Sequence, residues 1–199
     1  MGCLKNIFIA IILAFAFIGF MSVGGGKLVT NLVKNYLNPP QETLAKRAEK
    51  VGNFSEINEE FEIEKAAGML GYNGVIAEHK ASGQKLIVVD TNNKPILTAE
   101  DIKSDEIEQK LIALTQKIKY QTFQVDELKI TKRGIINSYG KDSPYIKFEA
   151  KAKKLPIGEV AGIISVTETI NGEQRLLISA NEKKRYSQLI SDEFFKSIK

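Results

Sequence analysis

Apolar and polar positions follow three different rhythms along the chain. From Asn6 to Gly26 no residue is charged, and Ile7 to Val23 reads IFIAIILAFAFIGFMSV. A bilayer core takes about 20 apolar residues in a helix. Eleven of these positions are Ile, Leu, Val or Phe, which at roughly −0.3 to −0.6 kcal/mol each favours insertion by about 3 to 7 kcal/mol. Ser22, Asn6 and the glycines offset part of this. The second rhythm is helical. Leu44, Ala48 and Val51 share a face over residues 41–51, and Ile63, Ala66, Ala67 and Leu70 share one after Asn58, a helix-capping residue. Ser104 is placed to cap a long helix with Ile107, Leu111, Leu114 and Ile118 as its buried stripe. Asn181 is placed to cap a last one with Tyr186, Leu189, Ile190, Phe194 and Ile198 inward.

The third rhythm is that of strands. Gly74 to Lys80 and Lys85 to Asp90 flank Ala81-Ser82-Gly83 and predict a hairpin. Phe123 to Ile130 and Gly134 to Ser138 are rich in strand formers, and Ile146, Phe148 and Ala150 alternate with polar neighbours over Tyr145 to Ala152. Gly158 to Thr169 is the most β-branched stretch and predicts a strand buried on both faces. Asn171-Gly172 is a two-residue hairpin signal, with Gln174 to Ala180 returning as the partner. The expected order is helix, hairpin, long helix, several strands, terminal helix. Short connections in the second half favour antiparallel pairing, so the fold class is α+β, one antiparallel sheet packed against helices and preceded by an N-terminal transmembrane helix. The expected division is a membrane segment at 1–26, a juxtamembrane stalk at 27–54 and an α+β domain at 55–199.

Several second-half patterns carry a resemblance. Gly140-Lys-Asp-Ser-Pro-Tyr-Ile-Lys-Phe-Glu-Ala is similar to the turn and strand that proteins of the PsbP and Mog superfamily place in mid-sheet. Gly162-Ile-Ile-Ser-Val and Arg175-Leu-Leu-Ile-Ser-Ala resemble their central hairpin, and Tyr186-Ser-Gln-Leu-Ile with Phe-Phe-Lys-Ser-Ile resembles their closing helix. The resemblance covers residues 55–199. That group includes extrinsic photosystem subunits, a nuclear-transport factor that binds a small GTPase, and many bacterial envelope proteins. It shares no catalytic set. The resemblance implies an accessory or partner-binding role.

Composition narrows the chemistry. Only Lys5 of the 28 basic residues falls in the first 26 positions and none of the 24 acids does, which leaves the remainder at +3. So mild a charge is not the footprint of a nucleic-acid binder. The membrane segment reads as an uncleaved signal-anchor, since the apolar core of a cleaved signal is shorter; Ser22, Gly24 and Gly25 keep cleavage open as an alternative. Cys3, the one cysteine, precedes the apolar run, so it does not mark a lipoprotein. Asn6 stands where myristoylation wants Ser or Thr. Gly24 to Lys27 fails the phosphate-loop pattern, because Leu28 follows the lysine and Met21 occupies the first glycine position.

His79 is the one histidine, which rules out a histidine-rich metal site; as a hairpin residue it is expected to be exposed. Asp90, Asp101, Asp105 and Glu106 are the densest acidic set, but their spacing fits no calcium loop and helix capping accounts for Asp105 and Glu106. Lys151-Ala-Lys-Lys154 and Lys183-Lys-Arg185 are basic, with Glu149, Glu159 and Glu182 nearby to dilute them. Asn53-Phe-Ser55 matches a glycosylation sequon. No catalytic, cofactor-binding or metal-ligating residue is assigned. The expectation is a single-pass membrane protein, held in the bilayer through residues 7–23, whose extracytoplasmic domain binds a protein partner and no nucleic acid, without being an enzyme. The alternatives are an extracytoplasmic domain for a small ligand, or a secreted protein with a cleaved signal.

Overall fold

The structure is a computed structural model and describes residues 40–69, 72–91, 95–116, 124–153 and 159–199. The expected transmembrane helix at 7–23 and the stalk residues 27–39 lie outside these. Among the described residues, no helix is long and apolar enough to cross a membrane.

The chain runs α1 (Gln41–Ala48), β1 (Phe61–Met69), β2 (Tyr72–His79), β3 (Gln84–Asp90), α2 (Ala99–Lys103), α3 (Ile107–Gln116), β4 (Gln124–Ser138), β5 (Lys141–Lys153), β6 (Glu159–Glu168), β7 (Gln174–Glu182) and α4 (Gln188–Lys196). Seven strands form one sheet in the order β1-β2-β3-β7-β6-β5-β4, and every neighbouring pair is antiparallel. Two meanders, β1–β3 and β4–β7, thus meet at the β3–β7 seam in mid-sheet. The fold is α+β, as expected.

Both faces of the sheet are covered, which is why β6 and β7 read as nearly continuous apolar runs. One face packs Ile87, Val89, Ile146, Phe148, Ile164, Leu176 and Ile178 against Ile102 of α2 and Ile107 and Leu111 of α3. The opposite face packs Val75, Ala77, Leu86, Val88, Ile163 and Leu177 against Ala48, Val51, Phe54, Phe194, Phe195 and Ile198. Phe194 and Phe195 have no solvent exposure, and burying a side chain of that size is worth about 1.5–3 kcal/mol. Ala48, Val51 and Phe54, expected in the stalk, are core residues, so the packed body takes in α1 as well.

Five further expectations are corrected. The helix after Asn58 is strand β1, with a bulge between Ile63 and Lys65. The two strands at 123–130 and 134–138 are one strand, β4, bulged between Ile130 and Lys132. Asn181 lies inside β7, the last helix starts after Ser187, and Leu189, expected on its inward face, is 78% exposed. Finally, Asn171-Gly172 does not form a two-residue turn. Thr169 N–H bonds Glu173 O and Gly172 N–H bonds Thr169 O, and only Gly172 has positive φ, +79°. The loop is therefore a type I turn closed by a glycine bulge. Ser104 ends α2 rather than opening a single long helix, although its hydroxyl does accept the Glu106 N–H at 3.1 Å.

Two local features fix the β4–β5–β6 register. Tyr139 and Gly140, with φ of 54° and 70°, make the tight two-residue turn whose twist suits a hairpin. Gly162 sits under Phe148: a Cβ there would lie 2.8 Å from the ring and 2.2 Å from Ser179 O.

Candidate functional site

On the α1/α4 face, one cross-strand row near the end of the sheet is polar instead of apolar. The register sets Asn73 of β2 beside Asp90 of β3, Asp90 beside Arg175 of β7, and Arg175 beside Thr167 of β6. Ser143 of β5 continues the row, donating from its hydroxyl to Thr167 Oγ1 at 2.8 Å. Arg175 is its centre. The side chain is 5% exposed and pairs with Asp90 at 2.9 Å and with Glu173 at 2.7 Å. Its Nε–H donates to Val51 O at 3.0 Å. The Tyr139 hydroxyl donates to the same carbonyl at 2.8 Å. Burial pushes the Tyr139 phenol well above its ordinary value, against the pull of the Arg175 charge, so it stays a neutral donor.

This junction ties three chain segments together. Asn53 N–H bonds Lys199 O and Lys199 N–H bonds Asn53 O, at 2.6 and 3.1 Å, while Tyr139 N–H bonds Ile198 O at 3.1 Å. Above it opens a cleft of about 380 Å³ between the loop after α1, the β6–β7 turn and the C-terminal residue; Lys50, Asn53, Asn171, Glu173, Arg175 and Lys199 are among its lining. The floor guanidinium is already committed to Asp90, Glu173 and Val51. A visiting group meets the rim, which holds amines, amides and the Glu173 carboxylate.

A second buried polar cluster holds α4 down. Gln84 is fully buried. Its amide nitrogen shares two N–H groups among Ser179 Oγ at 2.9 Å, Ser191 Oγ at 3.0 Å and Ser187 O at 3.0 Å, and its oxygen accepts the Ser187 N–H at 2.9 Å. That last bond gives the first turn of α4 a partner from across the sheet.

The residues singled out in the sequence go to separate places. His79 is 8% exposed, not an exposed tip. Its ring lies edge-on to Phe61 at 5.3 Å, Nδ1 is 2.9 Å from Ser82 Oγ and accepts the Ser82 N–H at 3.3 Å, and Nε2 faces Glu60 at 3.5 Å. These contacts close the β2–β3 turn. Asp90 belongs to Arg175. Asp101 caps α2 in a reciprocal box with Thr98 and pairs with Lys110 at 2.6 Å. Burial pushes its carboxyl up, but the bonds from Lys110 and Thr98 outweigh that and hold it below the ordinary carboxylate range. Asp105 faces Arg133 at 3.5 Å from solvent. The four acids do not converge, and among the described residues no three His, Cys, Asp or Glu side chains gather as a metal site would require.

Lys154 lies outside the described residues; of the others, Lys151 and Lys183 are matched by acids. Lys151 pairs with Glu127 at 3.1 Å and Glu159 at 3.4 Å, and Lys183 with Glu149 and Glu159, both at 2.8 Å. The bonds from Lys183 hold the Glu159 carboxyl below its ordinary value. Neither lysine offers a bare positive patch. Asn53 of the sequon is exposed, with its side-chain oxygen turned onto the Ser55 N–H at 2.9 Å. Cys3 lies outside the described residues. Reasoning from sequence missed Arg175, Tyr139 and Gln84. An arginine inside the apolar run of a central strand is itself a signal, because a charge is buried there only with a partner; the other two carry no local sign.

No family model matches the chain. No curated protein matches it either. Among solved structures, the solution structure of cyanobacterial PsbP (CyanoP) from Synechocystis sp. PCC 6803 is similar over 72% of this chain and 89% of its own length, at 12% identity and a TM-score of 0.40. That likeness reaches the fold at most.

Proposed function

We propose that this chain is a membrane-tethered, non-enzymatic protein whose α+β domain, on the extracytoplasmic side, binds a partner protein or assists its assembly. The observation that carries the reading is how the buried polar groups are used. Arg175 is engaged with Asp90, Glu173 and Val51, Gln84 with Ser179, Ser187 and Ser191, and His79 with Ser82 and Glu60. Each holds one element against another, and a group so occupied is not poised as an acid, base or nucleophile. The apolar run at 7–23 supplies the tether, and the PsbP- and Mog-like core pattern points to the same accessory role. Two measurements test this. Membranes washed in alkaline carbonate should retain the full-length chain; release into the wash refutes the tether. A photocrosslinker placed at Ile170, 88% exposed on the rim of the cleft, should give a discrete adduct in intact cells. Its absence from Ile170, and equally from Lys50, refutes the partner.

The cleft favours a second reading, a small polar ligand at its rim, since 380 Å³ falls within the range of ligand pockets. A metabolite panel at millimolar concentration should then raise the melting temperature by mass action, and a flat response counts against it.

A further inference from the structure

We propose that two copies of this chain pair through the second half of β4, antiparallel and centred on Ile135, to make one continuous fourteen-stranded sheet. β4 is an edge strand, and its two halves differ. The first half is blunted as exposed edges usually are. It carries two bulges and exposed Glu127 and Lys129, and Glu108 of α3 accepts the outward Ile130 N–H at 3.2 Å. From Lys132 to Ser138 there is no bulge and no such cover, although Lys132 and Arg133 are exposed charges at its start.

The backbone there points outward in a fixed pattern. The Tyr139-Gly140 turn makes Ser138 and Lys141 a hydrogen-bonded pair, and pairs alternate along an antiparallel ladder. Gly134 and Ile136 therefore bond to β5, while Arg133, Ile135 and Asn137 turn their N–H and C=O groups away from it. Pro144 stands opposite Ile135 and has no N–H to give it, which agrees. Among the described residues, nothing bonds these three outward pairs of backbone groups. Ile135 is 63% exposed beside them.

A two-fold axis at Ile135 satisfies all three. Ile135 meets Ile135 of the second copy, Arg133 meets Asn137, and no like charges face each other. The next register toward the N-terminus pairs Arg133 with Ile135 and carries Asn137 into the bulge at Thr131, and the one after it sets Arg133 against Arg133. A shift toward the C-terminus runs into the Tyr139 turn. Such an axis stands perpendicular to the sheet, so both α1/α4 faces lie on one side. Both chains then enter from the same side through α1, as two anchors in one membrane require; this last point alone rests on the tether reading.

The test uses the full-length chain in mild detergent, with Cys3→Ser as background. Opposed Cα atoms in a hydrogen-bonded antiparallel pair are about 5.5 Å apart, within disulfide reach. Ile135→Cys should cross-link to a dimer under mild oxidation faster than Ile170→Cys or Leu189→Cys, whose sites are more exposed at 88% and 78%. Ile135→Lys should leave the circular dichroism spectrum unchanged and raise the dimer dissociation constant by about tenfold or more. A wild-type chain that stays monomeric at every concentration overturns the proposal. So does a dimer indifferent to Ile135→Lys, or an Ile135→Cys chain that cross-links no faster than the other two cysteine variants. Carbonate release would end the tether reading and leave these outcomes untouched.

Discussion

Replacing Arg175 with methionine keeps the apolar bulk of the side chain and removes its charge and donors. Four partners feel the loss, and for the Gln174 carbonyl, at 3.2 Å, it is one hydrogen bond. Glu173, 53% exposed, returns to water at little cost. Val51 O loses one donor but keeps the Tyr139 hydroxyl, so this part is a single hydrogen bond, about 0.5–1.5 kcal/mol. Asp90, 14% exposed, keeps Asn73 at 3.3 Å but loses its cation, and stripping one partner from a buried pair costs about 3–5 kcal/mol in all. Against a domain stability of about 5–15 kcal/mol, Arg175→Met should lower the urea midpoint clearly and the melting temperature by about 6–20 °C. Tyr139→Phe alone should cost about 1 kcal/mol, because Arg175 still holds the carbonyl. Both together orphan Val51 O, so the double variant should exceed the sum of the singles by about 1–3 kcal/mol. A loss below about 1 kcal/mol for Arg175→Met, or strict additivity of the pair, would refute the claim that one carbonyl and one carboxylate organise this junction.

Thr98→Ala removes the hydroxyl that accepts the Asp101 N–H at 3.1 Å and should cost about 0.5–2 kcal/mol by urea titration. The wild-type cap should also respond to acid: the folded carboxyl of Asp101 lies below its ordinary value, so its stabilisation is complete above the unfolded value of about 3.9 and drains away as the pH falls below that. An Asp101→Asn chain should show a smaller acid slope in that window, and an equal slope would contradict the assignment. Gly162→Ala forces a Cβ to within 2.2 Å of Ser179 O and 2.8 Å of Phe148 and should destabilise by about 1–3 kcal/mol; calorimetry showing no loss would mean that the β5–β6 pair can open freely at that point.

Most of the sheet is legible in the sequence, and one strand is disguised for a physical reason. Phe61, Ile63 and Ala66 of β1 face the α1 side, and the bulge between Ile63 and Lys65 adds a residue between the last two. Spacings of two and then three imitate one face of a helix, and the pairing with β2 that decides the matter is not local. The start of α4 is hidden on similar grounds. Asn181 has the right chemistry for a cap, but its side-chain amide donates to Ser82 O at 3.1 Å, and the first turn of the helix is met by Gln84, more than a hundred residues earlier. β6 and β7 are legible because burial on both faces leaves an unbroken apolar run. Of the polar row only Arg175 carries a sign of its own, a charge at the head of an apolar run; each other member is an ordinary surface residue until the register sets it beside the next.

α1 shows how that row bears on the rest of the molecule. Eight residues are too few for a helix to persist by itself in water, and Pro40 at its N-terminus gives it no side-chain cap. Its order comes from its C-terminal end and the loop beyond. Ala48, Val51 and Phe54 are buried in the core, Val51 O is gripped by Arg175 and Tyr139, and Asn53 pairs with Lys199 through two backbone bonds. The chain before Pro40 is thus joined, through one short helix, to a strand at the central seam, to the β4–β5 turn and to the C-terminal residue. Part of a pull transmitted from that side falls on edge strand β1, where Arg47 of α1 donates to Ala66 O at 3.4 Å. The rest reaches a buried ion pair seated between β3 and β7, the seam where the two meanders join. The same arrangement accounts for a bulky residue in the left-handed region at Tyr139, which costs about 1–2 kcal/mol. The turn could be closed more cheaply with a smaller residue, but only a long side chain bearing a hydroxyl reaches Val51 from there. The strain at Tyr139 and the buried charge at Arg175 are two costs incurred at one carbonyl, and both fix how α1 meets the sheet.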